Sequence, residues 1–235
     1  MVTEKDTSGN LANRWATQGD ARVRELIGKD EAKQLLLVCE DILQQWYRRA
    51  EPGPGEFDHV MRHLNHPGYF KDHPEWLPML LEIAADPRVL DFARQVLREE
   101  PVYRLFSLFM NPLEDHRDGH WHRDTQFVQD YDEEDERARL AGDAFQNCIQ
   151  LQIALVPSAD AEVVPGSHLR WDTPEEWEIR LKDNKAHNKS NDMPGALRAD
   201  LAVGDAVAFN PCAIHRGRYH TDKLRRTLML TYEGI

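Results

Sequence analysis

Two residues with metal-binding side chains stand one position apart in the middle of the chain, in the stretch HWHRD at residues 120–124. In an extended backbone the side chains of His122 and Asp124 point to the same face, because successive side chains alternate. An imidazole and a carboxylate that converge form two thirds of the 2-His-1-carboxylate triad, which binds non-heme Fe(II) and leaves coordination positions open. His-x-Asp is common by chance, so the rest of the chain must supply a third ligand.

The third ligand is expected beside a late strand, because strands that are distant in sequence become neighbours in a jelly roll. His215 follows the apolar stretch at residues 206–214, which can hold its ring in place. His220 lies in the polar continuation of the same segment. We therefore predict His122, Asp124 and His215 as the metal ligands.

An arginine in the last predicted strand offers a site for an anion. In this strand Arg225 and Thr227 share one face, and Arg226 points to the other. An inward arginine is costly unless an anion meets it, and the planar guanidinium fits a carboxylate with two parallel hydrogen bonds. Arg225 and Thr227 would thus bind the far carboxylate of a dicarboxylate that chelates the metal. The alternative interpretation is a salt bridge between Arg225 and an acidic residue of the chain.

Composition excludes several classes of protein. The formal net charge of -12 argues against a nucleic-acid or anionic-membrane partner, because both need a basic surface. Residues 130–136 hold six carboxylates in seven positions and are expected to be a solvated loop or helix start. Cys39, Cys148 and Cys212 are too far apart for a zinc ribbon or a redox pair, so buried thiols are expected. We expect a cytoplasmic protein, monomer or homodimer, with a small-molecule substrate.

Hydrophobic periodicity and turn signals predict helices first and strands afterwards. The predicted helices cover residues 30–48, with Asp30 as N-cap, and residues 74–84, 87–99 and 174–182; the predicted strands cover residues 21–27, 102–110, 147–156, 162–164, 198–203, 205–210 and 224–234. Residues 56–73 contain four histidines and are expected to form a loop near the site without binding metal. This order indicates an α+β, mainly β class with a double-stranded β-helix (jelly-roll, cupin-like) core.

Several motifs together resemble one enzyme family over roughly residues 15 to 235. They are WHRD at 121–124, VPGSH at 164–168, GDAVAF at 204–209, His215, and the RRT segment at 225–227 with Tyr232. The chain resembles the phytanoyl-CoA dioxygenase family of Fe(II)/2-oxoglutarate-dependent oxygenases. The resemblance implies a single domain, residues 1–235, with a loose lead-in at 1–20, a helical buttress at 21–100 and the jelly roll at 101–235.

The resemblance also implies cofactors and residue roles. His122, Asp124 and His215 would bind Fe(II), and Arg225 with Thr227 would bind 2-oxoglutarate; O2 would be the oxidant. A polar residue at Gln150 or Gln152 would lie near the cosubstrate, and Gln152 is preferred. The neighbours of the ligands are the candidate substrate residues: Trp121, Arg123, Gln126, Phe127, Trp171, Arg216 and Arg218.

The reaction implied is hydroxylation of an unactivated C–H bond of a small metabolite or biosynthetic intermediate, with release of succinate and CO2. Desaturation, cyclisation and epimerisation use the same iron site and stay open. Related halogenases lack the carboxylate ligand, so Asp124 argues against halogenation. A non-catalytic cupin-like binding protein and a cysteine hydrolase using Cys212 are the remaining alternatives. One residue fewer than usual separates His215 from Arg225, which leaves Arg226 as another candidate for the cosubstrate arginine.

Overall fold

The structure is a computed structural model that describes residues 8–50, 59–111, 117–127, 132–141, 147–189, 192–219 and 223–235. Strands dominate the second half of the chain, and helices the first. The α-helices are α1 (Ser8–Gln18), α2 (Lys29–Ala50), α3 (Trp76–Ala84), α4 (Pro87–Leu97), α5 (Glu133–Leu140), α6 (Pro174–Arg180) and α7 (Lys182–Lys185). The strands are β1 (Asp20–Val23), β2 (Val60–Arg62), β3 (Pro101–Phe109), β4 (Arg117–Asp118), β5 (Cys148–Ala154), β6 (Ala161–Val163), β7 (Leu197–Arg198), β8 (Ala206–Phe209), β9 (His215–Tyr219) and β10 (Thr227–Gly234).

Two antiparallel sheets confirm the jelly-roll prediction. The large sheet has the order β1-β8-β5-β10-β3-β2, and the small sheet has the order β4-β9-β6-β7. In the large sheet β10 is central, paired with β3 on one side and β5 on the other. Both edge strands of this sheet, β1 and β2, lie within residues 20–100, which include the segment that was expected to be a helical buttress. The N-terminal third is therefore part of the sheet as well as its helical support.

Side-chain alternation divides the large sheet into an outer apolar face and an inner polar face. On β10, Leu228, Leu230 and Tyr232 lie in the main core with α1–α4, and the Tyr232 hydroxyl donates to the Ala84 carbonyl at the end of α3 (2.8 Å). The intervening residue Thr231 lines the internal cavity instead. β5 follows the same rule, with isoleucine and leucine outward and glutamine inward. Burial of the outer face against the helices thus fixes which side chains reach the cavity.

The N-terminal residues differ from the expected loose lead-in, because residues 8–18 form α1. Leu11 and Trp15, one helical turn apart, are buried in the main core. The Gln18 carbonyl accepts from the Gly166 amide (2.7 Å), which ties α1 to the turn at residues 164–168. His168 of that turn is buried, and its side chain forms a hydrogen bond with the backbone of Ala16. The helix is short, and it is its tertiary contacts that stabilise it.

Several element boundaries also differ from the prediction. Helix α2 begins at Lys29, so Asp30 lies in its first turn; the Gly28 carbonyl accepts the first helical bond from Ala32 (2.9 Å). Residues 60–62 are strand β2, whereas a loop was expected there; part of the histidine tract, residues 56–58, lies outside the described residues. The expected strand at 198–203 is reduced to β7 and an isolated bridge between Ser158 and Leu201.

The acidic run contains one fully buried carboxylate. Residues 128–131 lie outside the described residues, and Asp132 caps α5 by accepting from the amides of Glu134 and Asp135. Asp132, Glu134 and Asp135 are exposed as expected, but Glu136 is 0% exposed and forms an ion pair with Arg180 (3.0 Å). The expectation of a wholly solvated segment was wrong for this residue, because α5 turns one face inward. Among the described residues, no helix has the length and apolar character needed to cross a membrane.

Candidate active site

Three side chains from two distant segments meet at one point. Potential ligand atoms of His122, Asp124 and His215 lie within 4.8 Å of one another. The Asp124 Oδ1 atom is 3.5 Å from His122 Nε2 and 3.6 Å from His215 Nε2. Two imidazole nitrogens and one carboxylate oxygen at these separations fit a divalent transition metal such as Fe(II). The structure therefore brings together the three predicted ligands.

Backbone hydrogen bonds set this geometry. The amides and carbonyls of His122 and His215 bond reciprocally, at 3.0 and 2.9 Å, so the two residues face each other as an antiparallel bridge. The Asp124 amide donates to the Pro211 carbonyl (2.9 Å) in the turn before β9. Arg123 between the ligands is extended (φ -114°, ψ 145°), which places His122 and Asp124 on one face as predicted.

Both histidines are oriented for metal binding by their second ring nitrogen. His122 Nδ1 lies 2.6 Å from the His120 carbonyl, and His215 Nδ1 lies 2.9 Å from the Ala213 carbonyl. A carbonyl only accepts, so each Nδ1 carries the proton and each Nε2 is left with its lone pair toward the centre. Burial, with the nearby His122, lowers the pKa of His215 to about 4, which keeps its ring neutral at physiological pH.

The carboxylate is held in its ionised form. Burial by itself would raise the pKa of Asp124, but the adjacent His122 and His215 side chains and the hydrogen bond from Gln150 outweigh burial and lower it. The second oxygen, Oδ2, accepts from the Gln150 side-chain amide on β5. Gln150 was one of two open candidates for a polar neighbour of the cosubstrate. The structure gives it a different contact, with a predicted metal ligand.

The triad opens into a cavity of about 540 Å³ between the two sheets. This volume lies within the usual range for small-molecule sites. The cavity wall combines apolar and polar side chains from β3, β5, β10 and β9, including Leu105, Ser107, Gln150, Gln152, Met229 and Tyr219. Gln150 and Gln152 both face inward, as alternation along β5 requires.

Arg225 lies in the cavity wall and is 3% exposed. Its guanidinium packs over the rings of Phe109 and Tyr219, at 4.9 and 4.6 Å from the centroids. Nε lies 3.2 Å from Asp160 Oδ2, so part of the alternative interpretation, a salt bridge, is realised. However, Nε and Nη1 are buried without a hydrogen-bond partner among the described residues, and the same holds for Thr227 Oγ1. Buried donors of this kind indicate a polar ligand.

Arg226 lies outside the cavity wall formed by the described residues, and its side chain points toward helix α2. Its Nε donates to Glu40 of α2 (2.5 Å), and Nη1 donates to Asn111 Oδ1 (3.2 Å). The two neighbouring arginines thus point to opposite faces, as strand alternation predicts. Because Arg226 already has an acidic partner on the helical side, Arg225 is the better candidate for a cosubstrate carboxylate.

Most of the candidate substrate residues lie away from the cavity. Phe127 lines it, with its ring 5.0 Å from that of His122 and 60% of its surface exposed. Arg216 also lines it, but its Nε donates to Glu162 (2.6 Å). The other five are outside the cavity wall formed by the described residues: Trp121, Arg123, Gln126, Trp171 and Arg218. Within the described residues, the structure therefore does not bring these five side chains to the cavity.

Each of the five has another partner. Trp121 is 0% exposed in a small apolar core beneath the guanidinium of Arg216. Gln126 accepts from Arg180, and Arg218 lies 3.5 Å from a carboxylate oxygen of Glu162. Trp171 packs against two guanidinium groups, and Arg123 donates to main-chain carbonyls. For Trp121 and Arg123 the reason is alternation, because residues next to His122 and Asp124 in an extended segment face away from the metal site.

Two further observations bear on the alternatives. His59, from the expected loop, lines the cavity and stacks at 4.3 Å on Tyr219, so this tract does reach the site without joining the triad. Cys212 is fully buried, and burial raises its pKa to about 12, so its thiol stays protonated. A protonated thiol is a poor nucleophile, which argues against the cysteine hydrolase.

A model of the phytanoyl-CoA dioxygenase (PhyH) family matches residues 15–227 of the chain. No curated protein matches. Among solved structures, AviO1 from Streptomyces viridochromogenes Tue57 is 17% identical, with a TM-score of 0.67 over 98% of this chain and 96% of that one. EctD from S. alaskensis with bound Fe is 17% identical, with a TM-score of 0.68 over 100% and 79%. The epimerase SnoN from nogalamycin biosynthesis is 16% identical, with a TM-score of 0.63 over 97% and 82%. These similarities show a shared fold.

Proposed function

Since the chain belongs to the phytanoyl-CoA dioxygenase family, we propose that it is an Fe(II)- and 2-oxoglutarate-dependent oxygenase that hydroxylates a small molecule. The observation that carries the proposal is one cavity with the His122, Asp124 and His215 centre and with Arg225 in its wall. A metal-binding protein without catalysis needs the centre alone. It does not need a buried arginine in the cavity wall, two of whose nitrogens lack hydrogen-bond partners among the described residues.

The iron would be held by His122 Nε2, His215 Nε2 and Asp124 Oδ1. Two neutral imidazoles and one carboxylate leave part of the coordination sphere for small ligands. When bound, iron with 2-oxoglutarate and O2 supplies the oxidising power to break a C–H bond, with release of succinate and CO2. The chain's own contribution is to keep both Nε2 atoms unprotonated and the carboxylate ionised through the hydrogen bonds described above.

The cosubstrate would bind with its distal carboxylate on Arg225. The guanidinium is already dehydrated and flanked by two aromatic rings, so a carboxylate there would satisfy donors that are buried in any case. Thr227 does not belong to the cavity wall formed by the described residues, but its buried Oγ1 has no hydrogen-bond partner among them, and we retain it as a further proposed donor. Gln152 faces the same cavity two residues from Gln150 and is retained as a neighbour of the cosubstrate.

Hydroxylation is the outcome we propose, and related outcomes are distinguished by the product. One solved relative by fold, EctD, was crystallised with 2-oxoglutarate and 5-hydroxyectoine, whereas SnoN is an epimerase and SnoK a carbocyclase. Hydroxylation adds an oxygen atom to the substrate, cyclisation or desaturation removes two hydrogens, and epimerisation leaves the mass unchanged. The mass of the product therefore decides among them.

The substrate is proposed to be a small metabolite or biosynthetic intermediate that passes the exposed ring of Phe127. The cavity wall combines apolar and polar side chains, and one of its carboxylates, Glu162, is bound by Arg216 and Arg198. These pairs fix the wall and leave Phe127 as the candidate residue nearest His122 that remains exposed.

The test is succinate release from 2-oxoglutarate across pools of metabolites, with Fe(II) and O2 supplied. Turnover should require iron and should be abolished in Asp124→Ala and His215→Ala. Product formation by iron-depleted protein would refute the proposal. Anaerobic protein with Fe(II) and 2-oxoglutarate should also show a weak visible charge-transfer band; its absence at saturating cosubstrate would favour a binding protein instead.

A further inference from the structure

Arg123 stands between two proposed metal ligands and is completely buried. Its side chain is 0% exposed, and the extended backbone directs it away from the face that carries His122 and Asp124. A fully buried guanidinium is costly unless nearly all of its donors are satisfied. The location of those bonds shows what the side chain holds together.

The guanidinium of Arg123 donates to three main-chain carbonyls and one carboxylate. Nη1 donates to the carbonyls of Cys212 (2.5 Å) and Ser167 (2.6 Å). Nη2 donates to the Arg170 carbonyl (3.2 Å) and to Asp172 Oδ1 (2.8 Å). Each carbonyl belongs to a segment that is remote in sequence from residue 123. One side chain therefore connects the ligand-bearing segment to two separate turns.

The first of these turns leads into β9 and the third proposed ligand. Cys212 lies three residues before His215, and the neighbouring Pro211 carbonyl accepts from the Asp124 amide (2.9 Å). The second turn supports the first, because Ser167 Oγ accepts from the Ile214 amide (2.8 Å). The Arg123 contacts thus fix the position of the segment carrying His215 relative to the segment carrying Asp124.

The Arg123 guanidinium is also part of a buried network of two arginines and two acids, whose charges balance. Asp172 Oδ2 binds Arg180 Nε (2.7 Å), and Arg180 binds Glu136 (3.0 Å). Glu136 in turn accepts from the hydroxyl of Thr125 (3.0 Å), directly after Asp124. The two arginines and two acids are all 0% exposed, so loss of one charge leaves another buried without compensation. Such a network resists rearrangement and keeps its contacts in one geometry.

We propose that Arg123 is a positioning residue that sets the separation of Asp124 and His215 and thereby the affinity of the centre for a divalent metal. The inference rests on the proposed function, because it assumes that the three residues bind metal. It replaces the expectation that Arg123 contacts substrate, since the guanidinium lies behind the ligands. Residues that orient metal ligands from outside typically change metal affinity by about 10- to 100-fold when substituted.

The test compares Arg123→Met and Arg123→Lys with wild type by titration with Co(II) alone. The Met variant should bind Co(II) about 10- to 100-fold more weakly and show an altered visible Co(II) spectrum. The Lys variant keeps the positive charge but lacks the planar set of donors of a guanidinium. Its affinity for Co(II) should therefore lie between those of wild type and Arg123→Met. Circular dichroism establishes that each protein is folded at the titration temperature.

The matched control is Asp205→Asn, a buried carboxylate that accepts from the amides of Glu25 and Ala202 and from Arg24. It should lower Tm and leave the Co(II) affinity unchanged. Equal losses of affinity in the control and in Arg123→Met would reduce Arg123 to a general stabilising role and overturn the proposal. Wild-type affinity and spectrum in a folded Arg123→Met protein would do the same.

If Arg123→Met does not fold, Asp172→Asn is used instead, because it removes the charge of the carboxylate that pairs with Arg123 and leaves the guanidinium in place. It should weaken Co(II) binding relative to Asp205→Asn, and an affinity equal to that of the control would overturn the proposal. Failure of the wild-type protein to bind Co(II) or Fe(II) would instead contradict the proposed function itself. The two failures are therefore separable.

Discussion

Replacing the two neighbouring arginines separately tests how the cosubstrate is bound. Arg225→Met removes a cavity-wall guanidinium with two buried nitrogens that lack hydrogen-bond partners among the described residues. Arg226→Met removes a guanidinium that is 11% exposed and bound to Glu40 on the helical side of the sheet. The two substitutions are chemically identical and adjacent, and both precede β10, so they differ only in the side of the large sheet that they alter.

The expected effects can be estimated from these contacts. A hydrogen bond to a charged group contributes about 1.5–3 kcal/mol, and a guanidinium can make two such bonds to a carboxylate. Allowing for the side-chain Asp160 contact that competes for Arg225, the net loss on Arg225→Met is about 3 kcal/mol, or roughly 100-fold in Kd for 2-oxoglutarate. Arg226→Met should leave this Kd unchanged and lower the free energy of unfolding by about 1 kcal/mol or less, since its partner Glu40 is partly exposed.

Isothermal titration of 2-oxoglutarate into anaerobic Fe(II)-loaded protein measures the first effect, and urea unfolding of the metal-free protein measures the second. The metal-free Arg225→Met protein should unfold close to wild type, because loss of the Asp160 ion pair is offset by removal of two buried nitrogens that lack hydrogen-bond partners among the described residues. Weaker cosubstrate binding in Arg226→Met, with normal binding in Arg225→Met, would reverse the assignment. Unchanged affinity in both variants would remove the arginine from the proposed mechanism.

Three further outcomes are expected. Gln150→Leu should weaken Co(II) binding by about 10-fold in direct titration, because Asp124 loses the donor that orients it. Phe127→Ala should raise KM for the substrate in the succinate assay, whereas Leu169→Ala, equally exposed but outside the cavity wall, should not. Burial would raise the pKa of Asp172, but two neighbouring guanidinium groups outweigh it and lower it. The ionised carboxylate therefore stabilises the fold at pH values above the ordinary pKa of a free aspartate. This stabilisation is lost as the pH falls through the lower pKa that Asp172 has in the folded protein. In urea unfolding, the difference in free energy of unfolding between wild type and Asp172→Asn should therefore narrow below about pH 4.

Local sequence patterns were sufficient to predict much of the site. Alternation in an extended segment placed His122 and Asp124 on one face, and it separated Arg225 from Arg226. The same rule, applied to the neighbours of the ligands, would have directed Trp121 and Arg123 away from the substrate. That signal was present in the sequence, and it was not used when these two residues were expected to contact substrate.

Other features had no local signal. Strand β9 carries two arginines within five residues and lacks an apolar pattern, yet it forms because Glu162 of β6 binds Arg216 across the pair. Helix α1 depends on burial of Leu11 and Trp15 in a core built from later elements. The burial of Glu136 within an acidic run depends on Arg180, which lies 44 residues away.

The sequence by itself determined the choice of the three proposed ligands, the strand alternation and the apolar outer face of the large sheet, because these depend on residue type and on a period of two. Only the tertiary structure decided which polar residues surround the centre. Gln150 on Asp124, Arg123 behind the ligands and Asp160 beside Arg225 are contacts between distant segments. Their partners are set by the packing of two sheets and their helices, which no spacing along the chain expresses.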